Sequence, residues 1–305
     1  MSAIIKAPVL GFIGFGEAAF HICSGLHEEG VTGIVAFDIM ATDPKMGSQV
    51  RERAAGAHVT LLPSLREMLG KAEVLLCATS AKSALAIAKE AQAFLREGQL
   101  YADINSASPQ VKREIGAVVG QTGALFVDVA VMALVPQHRH KVPMSVSGAG
   151  ARRFAELLSP CGMDITYIND QAGSSSAIKM LRSIFIKGLG SLLLVALTAS
   201  RKAGVEREIM ESIRETIEEQ PFEQLANLLI TRNAVTAERR VAEMGEVISC
   251  IEEMGLDSSV SRATRAKLQT LVEMDLKARL GHKPPAHYNQ VLDAVIELSE
   301  KKHLR

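Results

Sequence analysis

The fold is decided at one stretch of the chain, Gly173-Ser-Ser-Ser-Ala-Ile-Lys179-Met-Leu-Arg182-Ser183, which an apolar run over residues 184–199 follows. Before this stretch, short apolar runs alternate with helical patterns, and after it only helical periods occur. Small residues, then two cations, then a long apolar segment predict a helix that joins two domains. We therefore expect a first domain over residues 1–170, a second over 171–305, and a connecting helix over about 174–201.

A glycine-rich turn lies near the N-terminus, between two short apolar runs. Its sequence is Val9-Leu-Gly-Phe-Ile-Gly14-Phe-Gly16-Glu-Ala-Ala19, and the second apolar run ends at Asp38. This G-x-G-x-x-A arrangement is typical of a strand, a tight turn and a helix whose N-terminus faces the phosphates of a dinucleotide. An acid at the end of the second strand suits a ribose 2′-hydroxyl and repels a 2′-phosphate, so NADP is the less favoured cofactor and NAD is expected. The alternative is a glycine-rich turn that binds no nucleotide.

Further apolar runs continue the alternation of strands and helices. Strands are expected over residues 58–62, 73–78, 100–103, 125–131, 143–147 and 164–168. The pattern predicts an α/β Rossmann domain with a doubly wound, mostly parallel sheet, followed by an all-helical C-terminal domain. Ligands bind such sheets beyond the carboxyl ends of the strands. The residues expected to hold the cofactor are Gly14, Phe15, Gly16, Glu17, Ala18, Ala19, Asp38, Ala78, Thr79 and Ser80.

The C-terminal half is predicted to be helical throughout. Helices are expected over residues 206–218, 222–254 with a break, 259–280 and 288–301. The apolar run over 184–199 should be buried on most sides, because its helix is apolar nearly all round.

Composition excludes several classes of function. The chain balances 34 basic against 34 acidic residues and has no Trp, so neither a nucleic-acid partner nor a membrane partner is expected. Its four cysteines form no C-x-x-C pair, so no metal site is expected, and a reducing cytoplasm fits. The N-terminus shows no signal-peptide pattern. The apolar uncharged run over residues 188–199 is too short to span a bilayer.

Three motifs together resemble the β-hydroxyacid dehydrogenases, the family of 3-hydroxyisobutyrate and 6-phosphogluconate dehydrogenases. They are Gly11-Phe-Ile-Gly-Phe-Gly16, Asp103-Ile-Asn-Ser-Ala-Ser-Pro109 and Gly173-Ser-Ser-Ser-Ala-Ile-Lys179, and the C-terminal part looks like a divergent branch. The resemblance implies a Rossmann domain, a long helix, a helical second domain and a homodimer. It also implies that Lys179 is the catalytic lysine and that Asn105, Ser106 and Ser108 form the substrate loop.

The sequence departs from this family at the expected substrate pocket. Met132 stands where the family usually has a serine that touches the substrate, and Ser183 stands where it usually has an asparagine. Arg182 occupies the position of a histidine in the phosphogluconate enzymes. Ile186 replaces their glutamate, which argues against enzyme-catalysed decarboxylation.

Lys179 is expected to act as a general acid/base. Hydride transfer from an alcohol needs a base for the hydroxyl proton, and burial or a nearby cation favours a neutral lysine. Arg182 lies one helical turn away and would add such a cation. The alternative is a lysine whose stem packs while its amine reaches water, but a cation at a helix N-terminus opposes the dipole there.

Each of the remaining candidate site residues has two interpretations. Arg182 forms a fork for a substrate anion, or it pairs with an acid of the helical domain. Asn105 and Ser106 bind substrate, or they make the turn before Pro109. Met132 forms a wall of the pocket or belongs to the core. The sequence leaves open whether further basic residues reach the site, namely His138, His140, Arg232, Arg239, Arg240 and His287.

These features predict an NAD-dependent dehydrogenase that acts on a small anionic β-hydroxy acid. Lys179 is its acid/base, and Asn105, Ser106, Met132, Arg182 and Ser183 line the substrate. The alternatives are an imine reductase on the same scaffold, which a lysine fits less well, and a nucleotide-binding regulator without turnover.

Overall fold

The protein divides into two compact units. The computed structural model describes residues 7–303 of the chain. The first unit ends at Ile184 and the second begins at Phe185. This boundary lies inside the long helix, later than the change of sequence pattern near residue 170, because buried hydrogen bonds hold the first turn of that helix in the first unit.

The first unit is built on one sheet of eight strands. They are β1 (Leu10–Ile13), β2 (Val35–Phe37), β3 (Thr60–Leu61), β4 (Val74–Cys77), β5 (Leu100–Asp103), β6 (Leu125–Val131), β7 (Met144–Ser147) and β8 (Ile165–Asn169). Their order across the sheet is β3-β2-β1-β4-β5-β6-β7-β8. Every pair is parallel except β6 with β7, which confirms the predicted Rossmann class. The strand order reverses between β1 and β4, the place where such sheets bind dinucleotides.

Helices connect the strands of this unit. They are α1 (Glu17–Glu28), α2 (Gly47–Gly56), α3 (Leu65–Lys71), α4 (Ala84–Ala91), α5 (Pro109–Gly120), α6 (Val135–His138), α7 (Ala151–Leu158) and the start of α8 (Ser174–Ala203). Helix α4 is shorter than the alanine-rich run from residue 81 to 95. Helix α5 begins at Pro109, a residue that suits the first turn of a helix, and Ser108 Oγ accepts a hydrogen bond from the N–H of Val111.

The sheet separates two apolar layers. Alternate residues along each strand point to opposite faces, so neighbours in sequence join different layers. Phe12 and Leu76 belong to one layer, whereas Ile13 and Leu75 belong to the other. All four residues are almost completely buried. Burial on both faces explains why these strands are short continuous apolar runs.

The second unit contains helices only. After the rest of α8 come α9 (Glu206–Glu218), α10 (Phe222–Glu253), α11 (Ser259–Glu273), α12 (Leu276–Arg279) and α13 (Asn289–His303). The predicted break in α10 is a kink at Thr236, whose backbone leaves the helical region. The single helix expected over residues 259–280 is interrupted at Asp275, which has φ of +47°. Ala234, Leu276 and Val291 form the centre of a small core.

Helix α8 is apolar but largely exposed in the single chain. Ile184 and Leu194 are 71% and 70% exposed, so the expected burial of residues 184–199 is wrong for the isolated chain. The most apolar 18-residue window of α8 has a mean hydropathy of 1.8 and no buried share. The whole helix is therefore long and apolar enough to cross a membrane by length and composition, although the shorter run at its centre is not. Core helices of soluble proteins meet the same criterion, so one such helix is weak evidence for a membrane span.

Candidate functional site

The glycine turn begins where β1 ends. Gly14 has φ of +84°, and a Cβ atom there would lie 2.6 Å from Thr79 Cγ2 and 2.8 Å from the Ala78 carbonyl oxygen. Only glycine fits a backbone that bends this way so close to the end of β4. A Cβ atom on Gly16 would meet open space, and no side chain caps α1 in the described chain. Open space beside uncapped N–H groups suits a pyrophosphate.

Asp38 ties the end of β2 to this turn. Its Oδ2 accepts a hydrogen bond of 2.6 Å from the N–H of Phe15, and its Oδ1 accepts one of 2.8 Å from the N–H of Met40. The carboxylate is thus fixed next to the glycine turn, and each oxygen keeps a second lone pair. Behind the turn, Ala19 is fully buried, which lets α1 pack closely on the sheet.

Asn105 joins the ends of β4 and β5. Its Oδ1 accepts 2.8 Å from the N–H of Thr79, and its Nδ2 donates 3.2 Å to the carbonyl oxygen of Cys77. Asn105 is buried, and its amide already forms hydrogen bonds that hold the ends of β4 and β5 together. The structure thereby supports a turn-making role, and contact with a ligand stays a prediction. Ser80 is exposed beyond Thr79, at the same edge.

Lys179 and Ser106 meet at this edge. The Lys179 Nζ donates a hydrogen bond of 2.9 Å to Ser106 Oγ, which joins residues far apart in the sequence. Lys179 is half-buried on α8 and Ser106 is exposed on the loop after β5. Burial, and secondly the charge of Lys112, lower the pKa of Lys179 below its ordinary value of 10.5. A lysine with a lowered pKa beside a hydroxyl group can move a proton to or from a bound alcohol.

The start of α8 is held by an acid from β6. Asp128 Oδ2 accepts hydrogen bonds from the N–H groups of Gly173 (3.1 Å) and Ser176 (3.0 Å) and from Ser147 Oγ (3.3 Å). Asp128 Oδ1 accepts 2.6 Å from Ser176 Oγ. A fully buried carboxylate therefore caps the helix that carries Lys179, where the helix dipole favours negative charge.

Lys112 on α5 lies between Asp128 and Asp103. Its Nζ is 3.1 Å from Asp103 Oδ1 and 3.3 Å from Asp128 Oδ1, and all three side chains are 0% exposed. This cluster is not among the site residues predicted from the sequence. The signal was present, because acids inside apolar strands need a partner and Lys112 shares the core spacing of Ile115 and Val119 on α5.

The other predicted substrate residues lie on or near α8 and after β6. Arg182 is exposed, and within the described part of the first unit no acid pairs with it. Ser183 Oγ donates 2.9 Å to the backbone carbonyl oxygen of Lys179, so it is engaged within the helix. Met132 is partly exposed directly after β6, and Leu134 near it is 64% exposed.

The basic residues left open by the sequence lie elsewhere. His140 is buried with Nε2 3.4 Å from Glu29 Oε1, and burial lowers the pKa of His140. It packs at the far end of α1 from the glycine turn, in the segment that also contains His138. The remaining four belong to the second unit: Arg232, Arg239, Arg240 and His287. Within residues 7–303, no cluster of three or more metal-binding side chains occurs.

Two solved proteins of similar sequence cover most of the chain. A conserved hypothetical protein from Sinorhizobium meliloti 1021 is 32% identical, over 87% of this chain and 89% of its own, with a TM-score of 0.63. A conserved protein of unknown function, described as structurally similar to 3-hydroxyacid dehydrogenases, is 30% identical, over 88% of this chain and 98% of its own, with a TM-score of 0.61.

Two further comparisons cover a smaller part of the chain or lie at lower identity. Residues 200–271 match a family described as a domain of unknown function (DUF1932). An imine reductase from Aspergillus terreus, solved with NADPH4 and dibenz[c,e]azepine, has a TM-score of 0.71 over 91% of this chain and 96% of its own. At 14% identity this likeness shows the fold alone.

Proposed function

The chain belongs to a divergent branch of the β-hydroxyacid dehydrogenase-like family, and on that premise we propose that it is an NAD-dependent oxidoreductase. It oxidises the alcohol of a small anionic β-hydroxy acid, or reduces the matching carbonyl compound. The observation that carries the proposal is the 2.9 Å contact between Lys179 and Ser106. Gly14 lies close to Thr79, the N–H of Thr79 donates to Asn105 Oδ1, and Asn105 directly precedes Ser106. Lys179 and Ser106 therefore lie near the same edge of the sheet as the glycine turn.

The residues of the edge suit a nicotinamide dinucleotide. The space at Gly16 and the uncapped start of α1 would hold its pyrophosphate, and Asp38 would hold a ribose. The cofactor supplies the hydride acceptor when it is bound. Lys179, in its neutral form, accepts the hydroxyl proton of the substrate during oxidation, and in its charged form it returns a proton during reduction. With Ile186 at the position of the family's acid, no decarboxylation follows.

Arg182 is proposed to bind the substrate anion. Replacing it with alanine is expected to raise KM for an anionic substrate by about tenfold to a hundredfold, because a hydrogen bond to a charged group contributes about 1.5–3 kcal/mol. The measurement is steady-state kinetics of Arg182→Ala against wild type. The control is Arg152→Ala, which removes an exposed arginine that stacks over Tyr167. An Arg182→Ala KM no higher than that of the control would show that Arg182 does not bind the substrate.

Asp38 is proposed to set the preference for NAD. Asp38→Asn keeps an oxygen that can accept from the backbone, but it removes the charge that repels a 2′-phosphate. We expect the ratio of kcat/KM for NAD over NADP to fall by about tenfold or more. The matched control is Asp43→Asn. It also removes the charge of an aspartate that accepts hydrogen bonds from backbone N–H groups, here those of Lys45 and Met46. Equal ratios in both variants would mean that Asp38 does not select the cofactor.

The experiment that tests the proposed activity is a screen of small β-hydroxy acids with NAD and with NADP, followed by absorbance of the reduced cofactor. The panel includes hydroxy-amino acids, sugar acids, phosphonates and sulfonates, and cyclic imines serve as a separate arm with NADH and NADPH. Oxidation of a hydroxy acid supports the proposal. Turnover of imines alone would favour an imine reductase. Cofactor binding without turnover in either arm would favour a regulatory protein.

We propose that the chain forms a homodimer in the cytoplasm. The exposed apolar residues of α8, such as Ile184 and Leu194, support a partner copy that covers this helix. Four free cysteines support a reducing compartment. Sedimentation of the intact chain should give a dimer that Leu194→Asp dissociates. A monomer at micromolar concentration without detergent would contradict the dimer, and recovery only with membranes or detergent would contradict both proposals.

A further inference from the structure

A buried cation, Lys112, connects the two segments of the chain that carry Lys179 and Ser106. Lys112 Nζ donates 2.6 Å to the backbone carbonyl oxygen of Asp103 and 3.1 Å to its Oδ1. It also lies 3.3 Å from Asp128 Oδ1. Lys112 is one of the largest fully buried side chains of the protein. It lies on α5, whereas the segments that it links are the loop that carries Ser106 and the start of α8.

Asp103 connects Lys112 to the loop that carries Ser106. Asp103 Oδ1 accepts 2.7 Å from the N–H of Asn105, the residue directly before Ser106. Asp103 Oδ2 is buried and has no hydrogen-bond partner among the described residues. The shape of the loop therefore depends on a carboxylate whose main cationic contact is Lys112.

Asp128 connects the same cation to the helix that carries Lys179. Its two oxygens hold the N–H groups of Gly173 and Ser176 and the hydroxyl of Ser176. Lys179 follows Ser176 by three residues, so it lies on the next turn of a rigid helix. Displacing Asp128 would therefore shift Lys179 relative to Ser106.

We propose that Lys112 is a positioning residue for the proton transfer: by holding Asp103 and Asp128 together, it fixes both the Ser106 loop and the start of α8, and it places a buried positive charge behind Lys179. The inference rests on the proposed role of Lys179 as acid/base. This role explains why a lysine is fully buried at this position of the first unit. A hydrophobic residue of similar volume would leave two acids unpaired.

The charges near this cluster determine how Lys179 should respond. Lys112 on α5 is the like charge that acts on Lys179, after burial itself. Asp103 on β5 and Asp128 on β6 face Lys112, and Cys77 on β4 and Tyr101 on β5 face Asp103. Removing the charge of Lys112 should therefore make Lys179 easier to protonate.

The test measures the titration of Lys179 directly. Wild type, Lys112→Met, Lys112→Gln and Lys112→Arg are acetylated with a trace of acetic anhydride across a pH series, and mass spectrometry gives the rate at Lys179. The midpoint of this titration should move to higher pH in Lys112→Met and in Lys112→Gln, because both remove the like charge near Lys179. Lys112→Arg keeps the charge and should stay near wild type. With a substrate in hand, kcat/KM of Lys112→Met should fall on the order of a hundredfold.

Two controls separate positioning from loss of stability and from failure of the proposed activity. Ile115→Val trims another buried residue of α5 whose side chain can form neither a hydrogen bond nor an ion pair with the acids, and it should leave the midpoint unchanged. If Lys112→Met does not fold, Lys112→Gln decides alone, because its amide can still donate hydrogen bonds to the acids but carries no charge. An unchanged midpoint in the folded neutral variant would overturn the inference. The labelling needs no substrate, so absence of turnover would contradict only the proposed activity.

Discussion

Lys179→Met is expected to lower kcat for hydroxy-acid oxidation by about a hundredfold to ten-thousandfold, the usual contribution of a general base. Methionine keeps much of the apolar stem but can neither accept the hydroxyl proton nor donate to Ser106. The reaction is followed by the absorbance of NADH at saturating cofactor. Because the glycine turn is unchanged, the affinity for NADH, measured by quenching of its fluorescence, should stay within about twofold of wild type.

The control for this prediction is Lys187→Met, which removes another lysine of the same helix, one that is exposed. It should leave kcat near the wild-type value. If Lys179→Met retains wild-type kcat, the base lies elsewhere. If both variants lose activity equally, the loss reflects helix α8 in general and not the amine of Lys179.

Asp128→Ala is expected to destabilise the first unit by about 3–5 kcal/mol, the range measured when one partner of a buried ion pair is removed. The substitution leaves Lys112 with one carboxylate partner in place of two. It also frees the N–H groups of Gly173 and Ser176 at the start of α8. Urea unfolding followed by circular dichroism should show the transition of the first unit at a much lower midpoint.

The control for Asp128 is Asp164→Ala, because Asp164 is an exposed aspartate in the same unit. Exposed substitutions away from special contacts usually change the free energy of unfolding by less than about 0.5 kcal/mol. If Asp128→Ala unfolds at the same urea concentration as the control, the buried cluster does not hold α8 as described.

The sequence predicted the fold well because the sheet is buried on both faces. Strands of this kind are short apolar runs, and β5 and β6 begin and end at the residues expected from sequence. The glycine turn was predicted for a local reason, because only glycine fits the positive φ of Gly14 so close to the end of β4. Helix α2 was missed because its apolar face is narrow and its sequence is mostly polar.

The site was predicted only in part. The contact of Lys179 with Ser106 joins segments that a local pattern cannot bring together, and the resemblance to a family supplied the lysine. The buried bonds of Asn105 depend on its position between β4 and β5, which no single segment reveals. The cluster of Lys112, Asp103 and Asp128 was not predicted, because its residues lie on three separate elements that meet only in the folded sheet. A buried charge within an apolar pattern nevertheless requires a partner.

The exposure of α8 could also not be predicted from the sequence. An all-round apolar helix predicts burial, but the pattern does not say whether the covering surface belongs to the same chain or to another. In the single chain Phe185 is half exposed and packs edge-on against Phe222, while its neighbours Ile184 and Ile186 stay open. The proposal of a homodimer follows from this difference.

Lys179 is proposed to carry the proton in both directions, and the pH dependence of kcat/KM is the direct test of this role. Oxidation needs the neutral amine, so its rate should rise with pH, and reduction needs the charged amine, so its rate should fall with pH. Both profiles should share a midpoint below 10.5, because burial and Lys112 lower the pKa of Lys179. Profiles that are flat, or that both rise with pH, would contradict Lys179 as the acid/base.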